Sequence, residues 1–397
     1  MTERYPPLQS LKEGHWFKLI CGASFQHLPA IRNLTLAYTL AGADCIDVAA
    51  DPAVILAAKE ALNIATAIAA SARLDHPLPI QTPLLMVSLN DGEDPHFRKA
   101  EFPALECPVD CLRPCESVCP ANAIALAGVI ADRCYGCGRC LPVCPIQHIF
   151  TRSYVSTAQA IAPLVLEAGV DAIEIHTQPG RLSDFQRLWT AIKPWIGQLQ
   201  LLSISCPSGD GLIAYLQSLY DIISPLPCPL IWQTDGRPMS GDIGMGTTKA
   251  TIQLGQQVLA AKLPGYVQLA GGTNDYTVPK LRSLKLLPPI QATTASINQL
   301  PSTAPNRYIA GVAYGSYARV LLSPILEQLE AMEQNQDLAL AMSPYHPVSW
   351  IYVSQRQERF QPARLEAMPE LLEKAVNLAH ALVSQLKPFD HPMLPTF

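Results

Sequence analysis

Eight short apolar runs recur along the chain: FKLICG (17–22), CIDVAA (45–50), LLMVSL (84–89), AIEIHT (172–177), LLSISC (201–206), LIWQTD (230–235), YVQLAG (266–271) and YIAGVAYG (308–315). Each is almost continuous in apolar side chains and ends on small or polar ones. That is the pattern of a strand buried on both faces of a parallel sheet. Segments with helical spacing lie between them, among them IRNLTLAYTLAGA, PAVILAAKEALNIATAIAA and TAQAIAPLVLEAGV. Gly42 and Gly169 stand where the glycine after a helix end would. Eight strand-then-helix units predict an α/β fold, a TIM-like (β/α)8 barrel, with an open doubly wound sheet as the alternative.

The spacing of the runs also predicts the domains. Residues 1–92 carry strands one to three, 93–150 form an insert, 151–336 carry strands four to eight, and 337–397 form a C-terminal helical extension. The helix expected across LEAMPELLEKAVNLAHALVSQL has one apolar face and should pack on the barrel exterior.

Composition narrows the class. The 397 residues are 49% hydrophobic and 15% charged, with a net charge of −5. Such a chain buries a large core, and no Lys/Arg run offers a nucleic-acid footprint. The start, MTERYPPLQSLKEGHWF, lacks the apolar centre of a signal peptide. The most apolar stretch, Ala53 to Leu74, carries Lys59, Glu60 and Asn63, so it reads as a buried helix rather than a membrane span. These features predict a cytoplasmic protein. In a reducing compartment, dense cysteines signal metal or redox chemistry rather than disulfides.

Of the 12 cysteines, eight fall between Cys107 and Cys144. The other four, Cys21, Cys45, Cys206 and Cys228, lie in or beside apolar runs and read as core thiols. Cys134, Cys137, Cys140 and Cys144 follow C-x2-C-x2-C-x3-C-P, the bacterial ferredoxin run. Three thiolates on one tight loop reach three corners of a cubane, and the fourth lies beyond reach. Gly136 and Gly138 let the backbone approach the inorganic sulfurs. Cys107, Cys111, Cys115 and Cys119 form a stretched version, each separated by three residues and closed by Pro120.

In two-cluster ferredoxins the fourth ligands are exchanged. That pairing joins Cys119 to Cys134, Cys137 and Cys140, and Cys144 to Cys107, Cys111 and Cys115, giving two [4Fe–4S] clusters. Between the motifs, ANAIALAGVIAD is expected to form a short helix and strand. Two zinc centres of four thiolates each are the competing reading, although zinc sites favour separated C-x2–4-C pairs. The stretched loop could alternatively hold a [3Fe–4S] or labile cluster.

Polar residues gather at the expected C-terminal strand ends: Asp47, Asp51, Asn90, Glu174, His176, Ser205, Asp235 and Gln268. Glu174 and His176, two apart, share one face of a strand and suit acid–base chemistry, or equally a salt-bridged barrel layer. Loops after strands seven and eight of barrels often bind phosphate. AGGTND and VAYGSYAR therefore make Gly271, Gly272 and Ser316 candidates for a phosphate or FMN site. GRPMSGDIGMGTTKA, with Lys249, is a second glycine-rich stretch. Neither is a P-loop, and turns alone also explain them.

The chain resembles the cyanobacterial light-dependent-period (LdpA) family over nearly its whole length. The likeness rests on GHWFKLICGASFQHLPAIRNLTLAYTLAGADCIDVAADP, the two cysteine motifs and the long C-terminal region. KLICG through DVAADP also looks like a plastid-encoded family of small barrel proteins. The LdpA resemblance implies a regulatory iron–sulfur protein that conveys light-dependent redox state to the circadian clock. It implies KaiA, CikA and SasA as partners and the eight cysteines as cluster ligands, and it brings no catalytic residue. Two functions are thus in contest: a redox sensor exchanging electrons with ferredoxin or quinone, and a flavin-dependent or small-molecule-dependent barrel oxidoreductase fed by the clusters.

Overall fold

The structure is a computed structural model that describes residues 7–21, 27–71, 81–92, 97–119, 123–131, 133–134, 140–154, 157–237, 243–244, 246–289, 308–341 and 364–387. The strands in chain order are β1 (Trp16–Ile20), β2 (Cys45–Ala49), β3 (Leu84–Asn90), β4 (Phe97–Glu101), β5 (Ile124–Ala125), β6 (Gly128–Val129), β7 (Phe150–Tyr154), β8 (Ala172–His176), β9 (Leu201–Pro207), β10 (Leu230–Asp235), β11 (Tyr266–Ala270) and β12 (Gly311–Tyr314). Eight of them close into a parallel barrel in the order β1, β2, β3, β8, β9, β10, β11, β12 and back to β1. These are the eight apolar runs of the sequence, so the open-sheet alternative falls.

Alternation along each strand divides the barrel into two cores. Phe17, Leu19, Val48, Val87, Ile173 and Ile204 face outward into the main hydrophobic core under the helices. Trp16, Cys45, Met86, Ala172, Leu201 and Ile231 form a second apolar cluster, joined by Leu8 and Leu11 of the helix Pro7–Glu13. That helix closes the N-terminal end of the barrel. Room for Trp16 depends on Gly311, where a Cβ would lie 2.1 Å from the Trp16 carbonyl oxygen.

One layer higher the interior turns polar. Lys18 Nζ lies 2.9 Å from Asp47 Oδ2 and also pairs with Glu174. Gln233 Nε2 and Ser203 Oγ donate to Glu174 at 2.7 and 2.8 Å, and Ser88 Oγ donates to Asp47 at 2.8 Å. Trp16 Nε1 donates to Gln268, which in turn donates to Gln233, each at 2.5 Å. Lys18, Asp47 and Glu174 are almost fully buried. Ionic groups so placed hold because each has a partner.

The insert leaves the barrel after β3 and returns before β8. Antiparallel pairing of β4 with β7 forms its base, from Phe97↔Tyr154 to Glu101↔Phe150. The boundary expected at residue 150 therefore falls at the start of a strand that belongs to the insert. ANAIALAGVIAD does not form a helix and strand in its described part. Ile124–Ala125 and Gly128–Val129 make a two-stranded hairpin, turned by Gly128 at φ +117°.

The boundary expected at 336/337 falls inside the helix Ser316–Ala341, because EQNQDLALA continues helix-forming residues without a break. The helix Pro369–Val383 packs on the outside of the barrel against the helices Leu28–Leu40 and Ser316–Ala341, as its apolar face requires. Arg32 donates to Glu366 at 2.9 Å, and Lys387 Nζ lies 2.5 Å from Asp44 Oδ2, which pin this segment down. SPYHPVSWIYVSQ lies outside the described residues.

Among the described residues, Pro52–Ala70 is the helix long and apolar enough to cross a membrane. Its Val54, Ala58, Ala61 and Ala65 are buried in the main core, where the helix packs against Leu28–Leu40.

Candidate metal centre and barrel mouth

The stretched motif folds around a cavity. Cys107, Cys111 and Cys115 line it, and the fourth sulfur comes from Cys144, beyond the second motif. Pro108, Pro114 and Pro145 shape its wall, with Ile149 behind them. The exchanged pairing groups these same four cysteines as one ligand set. Cys115, Cys134 and Cys140 pack with Phe102, Ile124 and Ile149 in a small core of the insert, and Cys119 leans on it. Cys137, Gly136, Gly138 and Pro120 lie outside the described residues.

The backbone presents N–H groups to the sulfurs. Ala100 N–H donates to Cys134 Sγ at 3.3 Å, Ala123 N–H to Cys119 Sγ at 3.2 Å, and His148 N–H to Cys144 Sγ at 3.3 Å. Such contacts favour thiolate over thiol. At Cys144 burial pushes the thiol up, but the N–H groups of His148, Ile146, Ile149 and Gln147 outweigh it, and the net shift is downward. Burial raises Cys115, with Arg113 opposing.

Among the described residues no three His, Cys, Asp or Glu side chains converge on a point fit for one metal ion. Four cysteines lining one cavity are the donor set that a [4Fe–4S] cluster takes, although thiolates bind zinc as well. The donor set therefore fits an iron–sulfur cluster held by Cys107, Cys111, Cys115 and Cys144.

Among the described residues, a side chain of the insert reaches the barrel. Lys99, on β4, donates to the Ala131 carbonyl at 2.6 Å and lies 3.4 Å from Asp51 Oδ2. Asp51 Oδ1 accepts from Ala53 N–H at 2.8 Å and so caps the helix Pro52–Ser71. The neighbour of Lys99, Ala100, is the residue that donates to Cys134.

At the open end, His176 sits in register with Asn90 and Ser205, and is 28% exposed. Its Nε2 is 3.3 Å from Glu174 Oε1. Asp235, half-buried, accepts from Ser205 Oγ. Burial raises the Asp235 carboxyl, with His176 opposing. Glu174 is held below the ordinary carboxylate range: burial pushes it up, but Lys18 and His176 outweigh that.

Gly271 and Gly272 both have positive φ, +64° and +94°. The Gly271 carbonyl accepts from Thr251 Oγ1 and from Arg237 N–H, and the Gly272 carbonyl from Thr247 Oγ1 at 2.8 Å. A Cβ on Gly272 would lie 3.1 Å from Thr247 Cβ, so this loop is packed against the start of the helix Thr247–Ala260. Ser316 begins the helix after β12 and accepts from Arg319 at 3.1 Å. Thr273 Oγ1 donates to the Ala313 carbonyl at 2.6 Å, holding the two loops together.

Residues 107–155 match the LdpA Fe–S cluster-binding domain, and residues 164–385 match the light dependent period A C-terminal domain. Light dependent period A of Synechococcus elongatus is 47% identical over 381 residues, covering 96% of this chain and 94% of that protein. The chain belongs to the light-dependent-period A family. A solved phosphonopyruvate hydrolase, in complex with oxalate and magnesium, covers 92% of this chain and 99% of its own at 13% identity. Its TM-score of 0.32 is too low to carry any argument.

Within the family frame, the insert is an iron–sulfur-binding domain whose matched region opens on Cys107 and closes after β7. The structure gathers six of the seven described motif cysteines, all but Cys111, in or against the insert core, and Cys111 lines the cavity. Cys21, Cys45 and Cys206 are buried and Cys228 half-buried, away from the insert. Reading the sequence missed Lys18, Ser203 and Gln233, which complete the polar layer. It also missed Lys99. A lysine inside an otherwise apolar strand was the available signal for Lys18.

Proposed function

We propose that this chain is a redox sensor built on two [4Fe–4S] clusters, which conveys cellular, light-dependent redox state to the circadian clock through protein partners in the cytoplasm. The observation that carries the reading is the cavity shared by Cys107, Cys111, Cys115 and Cys144. A ligand set that spans both motifs makes the insert one unit, so loss or reduction of either centre strains the whole. The clusters would supply one-electron exchange, with ferredoxin or quinone as candidate exchange partners. Cys119, Cys134, Cys137 and Cys140 would hold the second cluster. The N–H groups of Ala100, Ala123 and His148 steady the sulfurs, and Lys99 ties the insert to the barrel at Asp51.

The family resemblance supplies KaiA, CikA and SasA as the partners to test. Their affinity for the anaerobically purified chain should differ between reduced and oxidised forms by about fivefold to a hundredfold, the range of ordinary coupling energies. Equal affinity in both forms, and in cluster-free protein, would end the sensing proposal.

A second reading rests on the half-exposed His176 beside Glu174 at the open end of the barrel. It makes the barrel a flavin-dependent or small-molecule-dependent oxidoreductase. Structured flavin bands in the visible spectrum, beyond the broad absorption of clusters, would favour it.

A further inference from the structure

Large apolar side chains are unusually bare on the loop that carries the first three thiols. Val109 is 107% exposed, Leu105 102% and Leu112 72%, and Ile146, two residues beyond Cys144, is 46% exposed. Val109 and Leu112 stand between ligating positions, and Ile146 lines the cavity itself. Cys107, Cys111 and Cys144 are half-buried, whereas Cys134 and Cys140 are buried. Cys115 is buried and Cys119 half-buried, and the bare apolar side chains belong to the loop that carries Cys107, Cys111 and Cys115. A grouped apolar patch of this kind marks a contact surface.

Its charge selects the partner. Over residues 105–116, Glu106, Asp110 and Glu116 face a single opposing charge, Arg113, whose Nε lies 2.6 Å from Glu116. His148 Nε2 stands 3.6 Å from Glu106. Four thiolates around an iron–sulfur core add further negative charge. The loop that carries the first three thiols is therefore net acidic around its bare apolar side chains.

We propose that this face docks a small one-electron carrier protein with an apolar centre and a Lys/Arg rim, and that electrons pass at the Cys107, Cys111, Cys115 and Cys144 set. The proposal rests on the two-cluster reading of the insert. Electron-transfer contacts are small and transient, with complementary charge steering the encounter. One electron leaves the cluster and one enters the carrier, with no bond made or broken. An acidic carrier is repelled by the same loop, which sets this proposal against ferredoxin as the exchange partner.

The test uses the full chain, purified without oxygen and with its iron content measured first. The probes are cytochrome c, a basic one-electron carrier, its redox-inert zinc-substituted form for binding alone, and an acidic plant-type ferredoxin. The dithionite-reduced chain should reduce cytochrome c in a bimolecular reaction that slows as salt rises. It should exchange electrons with the ferredoxin more slowly. Val109→Ser with Leu112→Ser should weaken both the reaction and binding of zinc cytochrome c about five- to tenfold, with iron content unchanged. Glu106→Gln with Asp110→Asn should flatten the salt dependence. Equal rates with both carriers, or indifference to both double variants at full iron content, would overturn the proposal. A preparation without iron would overturn the cluster reading itself, and the proposal with it.

Discussion

Lys18 shows how one side chain decides the character of the barrel interior. Burial penalises its charge, but Asp47 and Glu174 outweigh that and raise its pKa above the ordinary lysine value. Replacing Lys18 by Met would leave two buried carboxylates facing each other, at a cost of about 3–5 kcal/mol. A urea midpoint lowered accordingly, and partly restored by adding Glu174→Gln, is the expected result. A second residue sets a pH dependence. Burial, with Lys387 and Arg282 beside it, pushes His15 down to about 4. The unfolded chain protonates this ring near pH 6.5 while the folded chain resists until about 4. Stability from His15 is therefore fully present above pH 6.5 and declines as pH falls toward 4, by up to ~1.4 kcal/mol per pH unit. In His15→Phe that part of the slope should vanish from urea titrations run between pH 7 and 5.

At the scale of elements, the barrel strands were legible because full burial on both faces writes continuous apolar runs. The polar layer was legible only in part: Asp47, Glu174 and Gln268 stood out, but Lys18, Ser203 and Gln233 did not, since its members come from separate strands and meet only when the sheet closes. Glu174 and His176 were visible as a pair through their period of two. Nothing local links Glu174 to Lys18, 156 residues away. The hairpin at Ile124–Val129 was misread because two-residue strands are too short to show a period, and Gly128 was the only signal of the turn. The stretched motif raised doubt by its spacing, yet its first three cysteines line the same cavity as Cys144. The proposed exchanged pairing has a consequence for variants. Cys119→Ser should damage the cluster of Cys134, Cys137 and Cys140, and leave that of its sequence neighbours largely intact. EPR of the reduced variant separates the two, and loss confined to the Cys107 set would show that the pairing is wrong.

For the whole molecule, two units share one chain without disturbing each other. The insert occupies a loop between β3 and β8, and its base is the pair β4–β7, so the barrel closes as if the loop were short. Loops at the C-terminal ends of barrel strands carry function for this reason. Lys99 bridges the units, from the Ala131 carbonyl to Asp51 at the head of the helix Pro52–Ser71. Ala100, next to Lys99, donates to Cys134, so that link starts one residue from a motif sulfur. All of this depends on what the eight thiolates hold. Iron, acid-labile sulfide and zinc, quantified together with Mössbauer spectra on the full chain purified without oxygen, test it most directly. The expected result is about eight irons and about eight sulfides per chain, all in cubane form. Stoichiometric zinc, or no metal at all, would contradict it.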